Sequence, residues 1–193
     1  MKTVLFVPGF QEDISSRDYV KTIKAIEQSG YKVKFVDIHW LRTTIDNWVE
    51  EFNAVYDAYD PKDTILAGFS YGAMTVFMSA ANRNPAELWL FSLSPYFIED
   101  IENDSFNQSW LKSIGHRRVD AFKKLSFSKL IKRITSKILF FYGDLELKKW
   151  PDISYREDVI RKLPMMKIRI AIGAQHDVTS DAYIDAIKEE IRI

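Results

Sequence analysis

Apolar positions recur in two rhythms along the chain. Residues 3–7, 64–67, 88–93 and 137–142 are apolar or β-branched almost without interruption, as in strands covered on both faces of a parallel sheet. Residues 31–38 and 166–172 instead alternate apolar side chains with charged ones, Lys32, Lys34 and Asp37 in the first and Lys167 and Arg169 in the second. That alternation places these two strands toward the edges of the sheet.

Between the strands the spacing changes to three and four. Tyr19, Val20, Ile23 and Ile26 fall on one helical face that stops at Gly30, and Ser15 with Asp18 has the spacing of an N-cap with an acid in the first turn. Ile45, Trp48, Val49, Phe52, Val55, Tyr56 and Tyr59 form a second stripe, capped by Thr43-Thr44-Ile45-Asp46 and closed by Asp60-Pro61. Further helices are expected over 73–81, over 154–163, and from Thr179 or Ser180 onward with Tyr183, Ile184, Ile187 and Ile191 inward. Strands alternating with helices imply βαβ units, hence an α/β fold with a mostly parallel six-stranded sheet and helices on both faces.

Residues 97–136 break this rhythm. Val119, Phe122, Leu125, Leu130, Ile131 and Ile134 are interspersed with Lys and Arg, nine of which fall between Lys112 and Lys137 against the single acid Asp120. One or two amphipathic helices with a solvated basic face are expected.

Composition narrows the function classes. At 193 residues the chain fits a single domain over 1–193 with a sizeable core. A net charge of zero offers no field for nucleic acid, and the absence of cysteine with only three histidines argues against a metal site, so no cofactor is expected. The apolar run of residues 4–7 is short for a secretory signal, and no run approaches a membrane span. A cytoplasmic protein with no membrane partner is the expectation.

The chemistry centres on Gly68-Phe69-Ser70-Tyr71-Gly72, a G-x-S-x-G pattern between a strand and a helix. Such a turn strains the serine backbone and projects its hydroxyl, and glycine is needed where a side chain would collide across it. A serine hydroxyl needs a base, usually an imidazole steadied by a carboxylate. His176 lies just past the sixth strand, at the carboxyl edge where Ser70 also emerges. His39, beside Trp40, suits a packed or edge position, and His116, between Gly115 and Arg117, a solvated one. Past the fifth strand stand two acids, Asp144 and Glu146, of which the two-residue separation lets only one point at the imidazole. Asp177 suits a cap for the last helix.

These features in this order resemble the α/β-hydrolase superfamily over nearly the whole chain. Pro8-Gly9-Phe10 resembles its oxyanion loop, residues 68–72 its nucleophile elbow, and Gly173-Ala174-Gln175-His176 its histidine loop, in the family's order of serine, acid, histidine. The family acid commonly sits three residues after the glycine ending its strand, which points to Glu146; aspartate is the commoner residue, which keeps Asp144 as the alternative. The first two strands of the full fold are missing, so the resemblance is to a minimal version, and residues 97–136 take the place of the family's lid. It implies backbone N–H donors at Phe10 and Tyr71 for an oxyanion. Met74, Tyr96, Phe97 and Trp150 are the candidates to line a substrate pocket. The activity implied is cleavage of a small-molecule carboxylic ester or thioester, free or carried by an acidic partner that the basic insertion would attract. A non-catalytic ligand- or protein-binding protein on the same scaffold is the alternative.

Overall fold

A computed structural model describes residues 1–16, 18–103, 108–150 and 154–191. Six strands, β1 (Thr3–Val7), β2 (Lys32–Phe35), β3 (Thr64–Phe69), β4 (Glu87–Phe91), β5 (Lys137–Gly143) and β6 (Met166–Ala171), form one sheet in the order β2-β1-β3-β4-β5-β6. Every neighbouring pair is parallel. The two alternating strands lie at the edges, where one row of backbone groups faces solvent and charged side chains are tolerated.

Successive side chains of the central strands divide between two cores. Val4 and Phe6 face helices α1 (Tyr19–Gln28) and α10 (Asp181–Glu190), while Leu5 and Val7 face α2 (Ile45–Tyr56), α3 (Tyr71–Arg83) and α9 (Ser154–Ile160). Each fully buried large apolar side chain contributes roughly 1.5–3 kcal/mol relative to exposure. Among the described residues no helix is long and apolar enough to cross a membrane.

The register sets the carboxyl edge. Val7 pairs with Gly68, Phe69 with Phe91, Phe91 with Phe141, and Gly143 with Ala171. The residues that follow these strand ends therefore emerge along a single line, and they include Ser70, Glu146 and His176.

Several expected boundaries move, each for a local reason. β4 ends at Phe91 because Ser92 turns to φ 51°, outside any strand conformation. Ser15 does not cap α1: its N–H and hydroxyl both donate to Asp13 Oδ1, at 2.8 and 2.7 Å, and the helix starts after Asp18. Val20 turns outward, and Thr22 takes the inward place with its hydroxyl on Val178 O at 3.0 Å. Thr44 is the N-cap of α2 as expected.

The insertion after β4 is more broken than one or two helices. It runs through α4 (Ile98–Ile101), α5 (Gln108–Ile114), α6 (His116–Phe122) and α7 (Phe127–Leu130), then a 3₁₀ turn at Ile131–Arg133. Gly115, at φ 88°, separates α5 from α6, and the Ser126 hydroxyl caps α7 through Lys129 N–H. Residues 104–107 lie outside those described. Its apolar residues Val119, Phe122, Leu125, Leu130, Ile131 and Ile134 are all buried in the core that α2 and α3 share. One more short helix, α8 (Asp144–Leu147), follows β5 directly.

Candidate active site

Ser70 occupies a turn that few residues tolerate, with φ 56° and ψ −116°. Two glycines make it geometrically attainable. A Cβ at Gly68 would lie under 3.0 Å from the backbone of Gly72 and Ala73, and one at Gly72 under 3.0 Å from the carbonyl oxygens of Val7 and Pro8. The turn is thus folded onto itself and onto the loop after β1, and the Ser70 N–H is held by Phe91 O at 2.9 Å.

The imidazole of His176 reaches this serine. Nε2 lies 3.0 Å from Ser70 Oγ, and Nδ1 lies 2.8 Å from Glu146 Oε2. The ring rests against Phe69 and Trp150, with centroids 4.7 and 5.3 Å away. A close backbone approach brings the histidine loop to β5: a Cβ on Gly143 would lie under 3.0 Å from Ala174 O.

Glu146 is buried, and its second oxygen is fully engaged. Oε1 accepts the Gly143 N–H at 3.1 Å and the Ser92 hydroxyl at 2.8 Å. Ser92 also lies 2.8 Å from Tyr183 Oη, whose hydroxyl donates to Phe141 O at 2.8 Å. A carboxylate only accepts, so the single Ser92 proton goes to Glu146 and the Tyr183 proton is shared between Phe141 O and Ser92 Oγ.

Asp144 points elsewhere. It accepts the Gly173 N–H at 2.7 Å and pairs with Lys148 at 3.4 Å. The Gly173 hydrogen bond, with Lys148 beside it, holds the Asp144 carboxyl below the usual carboxylate range. Of the two candidate acids, the structure brings only Glu146 to the imidazole; the first turn of α8 puts Asp144 on its other side. Asp177 accepts from the N–H and hydroxyl of Thr179, one residue ahead of Ser180, which is the N-cap of α10.

The other histidines stand apart from Ser70. His39 is exposed rather than packed, with Nδ1 2.8 Å from Glu51 Oε1, and the Glu51 hydrogen bond raises its pKa. His116 is the exposed first residue of α6.

The two expected backbone donors lie in the serine turn and in the loop after β1 that packs on it. Tyr71 opens α3, so its N–H is one of those without an acceptor inside the helix. Gly9 N–H is spent on Tyr19 Oη at 3.0 Å, whereas Phe10 N–H has no acceptor among the described residues. The Phe10 and Tyr71 rings pack at 5.1 Å, and burial pushes the Tyr71 phenol well above its ordinary pKa.

The four expected lining residues divide. Tyr96 and Trp150 are partly exposed, Tyr96 packing on Tyr71 at 5.3 Å. Met74 and Phe97 are fully buried core residues instead, Phe97 between Phe77 and Phe127 at 5.6 and 5.5 Å. α3 is covered on nearly all sides from Tyr71 to Ala81, which leaves Met74 inside, and the loop after β4 tucks Phe97 beneath the insertion.

Sequence reasoning passed over Ser94, whose Oγ lies 3.2 Å from Ser70 Oγ. The available signal was a pair of serines, Ser92 and Ser94, at the end of a buried strand on the carboxyl edge. Among the described residues no cluster of His, Asp or Glu could hold a metal ion.

No family model and no curated protein sequence matches the chain. Solved structures do. Est1E from Butyrivibrio proteoclasticus superposes with a TM-score of 0.76 at 16% identity, over 99% of this chain and 85% of its own. An esterase from Exiguobacterium antarcticum gives 0.69 at 13% identity, over 99% and 92%. The alpha/beta hydrolase domain-containing protein 10 from mouse gives 0.64 at 14%, over 98% and 87%. With one parallel sheet, a strained serine turn after its third strand and this likeness over nearly its whole length, the chain has the α/β-hydrolase fold.

Proposed function

We propose that the protein is a serine hydrolase that cleaves a carboxylic ester or thioester through an acyl-enzyme on Ser70. The observation that carries this reading is the line from Ser70 Oγ through the His176 ring to a buried Glu146 carboxylate, with steps of 3.0 and 2.8 Å. The esterases among the structural neighbours favour the same class of substrate.

In this scheme Ser70 Oγ attacks the substrate carbonyl carbon while its proton passes to Nε2 of His176. Glu146 holds the ring in the tautomer with Nδ1–H and stabilises the imidazolium. The N–H groups of Phe10 and Tyr71 bind the oxyanion; a donor of this kind is worth roughly 2.7–4 kcal/mol in a well-measured protease. Collapse breaks the carbonyl's bond to the alcohol or thiol, which leaves with the proton from His176. Water then attacks the acyl-enzyme, giving its proton to His176, and Ser70 departs with that proton restored.

Labelling with a fluorophosphonate probe tests the reading. The wild type is expected to form a Ser70 adduct with loss of fluoride, and Ser70→Ala and His176→Ala to form none. Equal labelling of all three would sink it.

A further inference from the structure

Ser94 lies within hydrogen-bond reach of the nucleophile, and the protons in the site can be counted. Nδ1 of His176 faces the Glu146 carboxylate at 2.8 Å and so carries the ring proton of the neutral imidazole. Nε2 is then an acceptor, and the single proton of Ser70, 3.0 Å away, is committed to it. A bond between Ser94 and Ser70 at 3.2 Å therefore has one direction available, with the Ser94 hydroxyl donating to Ser70 Oγ.

We infer that Ser94 is a further catalytic residue, donating a hydrogen bond to the Ser70 oxygen in both halves of the reaction. This rests on the reading of Ser70 as nucleophile. During attack the Ser70 oxygen gains negative charge as its proton moves to His176, and a donor already aimed at it is strengthened at that moment. During deacylation the acyl carbon's bond to Ser70 Oγ breaks, and the same donor stabilises the departing oxygen. No proton is transferred from Ser94 in either step.

The fold holds Ser94 in place from outside the site. It is 3% exposed, and its carbonyl accepts from Nη2 of Arg156 at 3.1 Å, while Leu93 O accepts from Nη1 at 3.0 Å. Arg156 is itself buried and paired with Asp100 at 2.6 Å. The segment 93–94 is thus clamped by a charged group from α9, which makes Arg156 a positioning residue for Ser94.

The experiment compares wild type, Ser94→Ala and Ser94→Thr by the second-order rate of fluorophosphonate labelling and by kcat and KM on a p-nitrophenyl ester, with unfolding midpoints measured alongside. Loss of a hydrogen bond to a charged oxygen is expected to slow both labelling and kcat of Ser94→Ala by about tenfold to a hundredfold. KM should stay within about twofold, since the bond matters in the transition state. Ser94→Thr, which keeps the hydroxyl, should recover most of the rate. Ser94→Ala as fast as wild type overturns the inference while leaving Ser70 as nucleophile. Ser94→Thr as slow as Ser94→Ala, with unfolding midpoints unchanged, overturns it too. A wild type that does not label at all sinks the nucleophile reading, and the inference with it.

Discussion

Glu146 and His176 meet with one carboxylate oxygen on Nδ1 at 2.8 Å, while the other oxygen of Glu146 is tied to Gly143 N–H and the Ser92 hydroxyl. The carboxylate is therefore locked in orientation before it meets the imidazole. Glu146→Gln keeps the shape and removes the charge, so in the proposed mechanism the imidazole loses the partner that fixes its tautomer and stabilises its charged form. Ester hydrolysis by this variant should fall by about 10⁴ in kcat, the size seen for the equivalent change in a serine protease. Asp144→Asn can still accept the Gly173 N–H and should leave kcat close to wild type. The reverse ranking in steady-state assays would exchange the two acids.

The elbow predicts a contrast between two glycines. A Cβ at Gly72 would meet the Val7 and Pro8 carbonyls under 3.0 Å, and these are backbone atoms that cannot swing aside as a flexible side chain could. Gly72→Ala should destabilise the fold by about 1–3 kcal/mol, as overpacking generally does. It should also displace the loop after β1, which carries the proposed Phe10 donor, lowering kcat. Gly173 has open space at its Cβ position, yet sits at φ 84°. Gly173→Ala should thus cost about 1–2 kcal/mol from backbone strain alone. Urea unfolding of both variants, with kcat for Gly72→Ala, checks the pair.

How much of this was legible in the sequence depended on what set each feature. Ser70 and His176 could be read because strand order and register carry them to one edge, and apolar runs define the strands. Choosing between Glu146 and Asp144 required side-chain direction, which the four-residue helix α8 and the Gly143 N–H determine. Ser94 was hidden for a related reason: Ser92 leaves the strand conformation at φ 51°, so alternation along residues 88–93 says nothing about where Ser94 points. The insertion was legible as amphipathic but not as a run of short helices, since Gly115 and Ser126 break it at positions that the periodicity passes over.

The buried pair Arg156 and Asp100 should be costly to break. Both side chains are essentially without solvent, and Asp100 also accepts from Tyr155 Oη at 2.8 Å and Phe97 N–H at 2.9 Å. Removing one partner strands a charge in the interior, at a cost of about 3–5 kcal/mol. Arg156→Met should lose that much stability in urea unfolding. The double variant with Asp100→Asn should lose clearly less than the sum of the two single losses, because the stranded charge is gone. Additive losses would mean that the two side chains do not act as a pair.

Glu99 ties α4 to the start of α7, and its titration should show in the acid stability of the insertion. Oε1 accepts the Ser126 hydroxyl at 2.6 Å and Ser128 N–H at 3.0 Å, and Oε2 accepts Phe127 N–H at 3.0 Å. Burial pushes the Glu99 carboxyl up, but the hydrogen bonds from Ser126, its own backbone, Ser128 and Phe127 outweigh it and hold the pKa below 4.5. A carboxyl whose folded-state pKa is depressed contributes stability that is fully present above its unfolded value and is lost as pH falls through the folded one. Wild type should therefore exceed Glu99→Gln in unfolding midpoint by a constant margin near neutrality, and the margin should shrink once pH drops below about 4.5. Urea midpoints of the two proteins across a pH series measure it. A margin that stays flat down to about pH 3 would mean that the Glu99 charge is not what holds the start of α7.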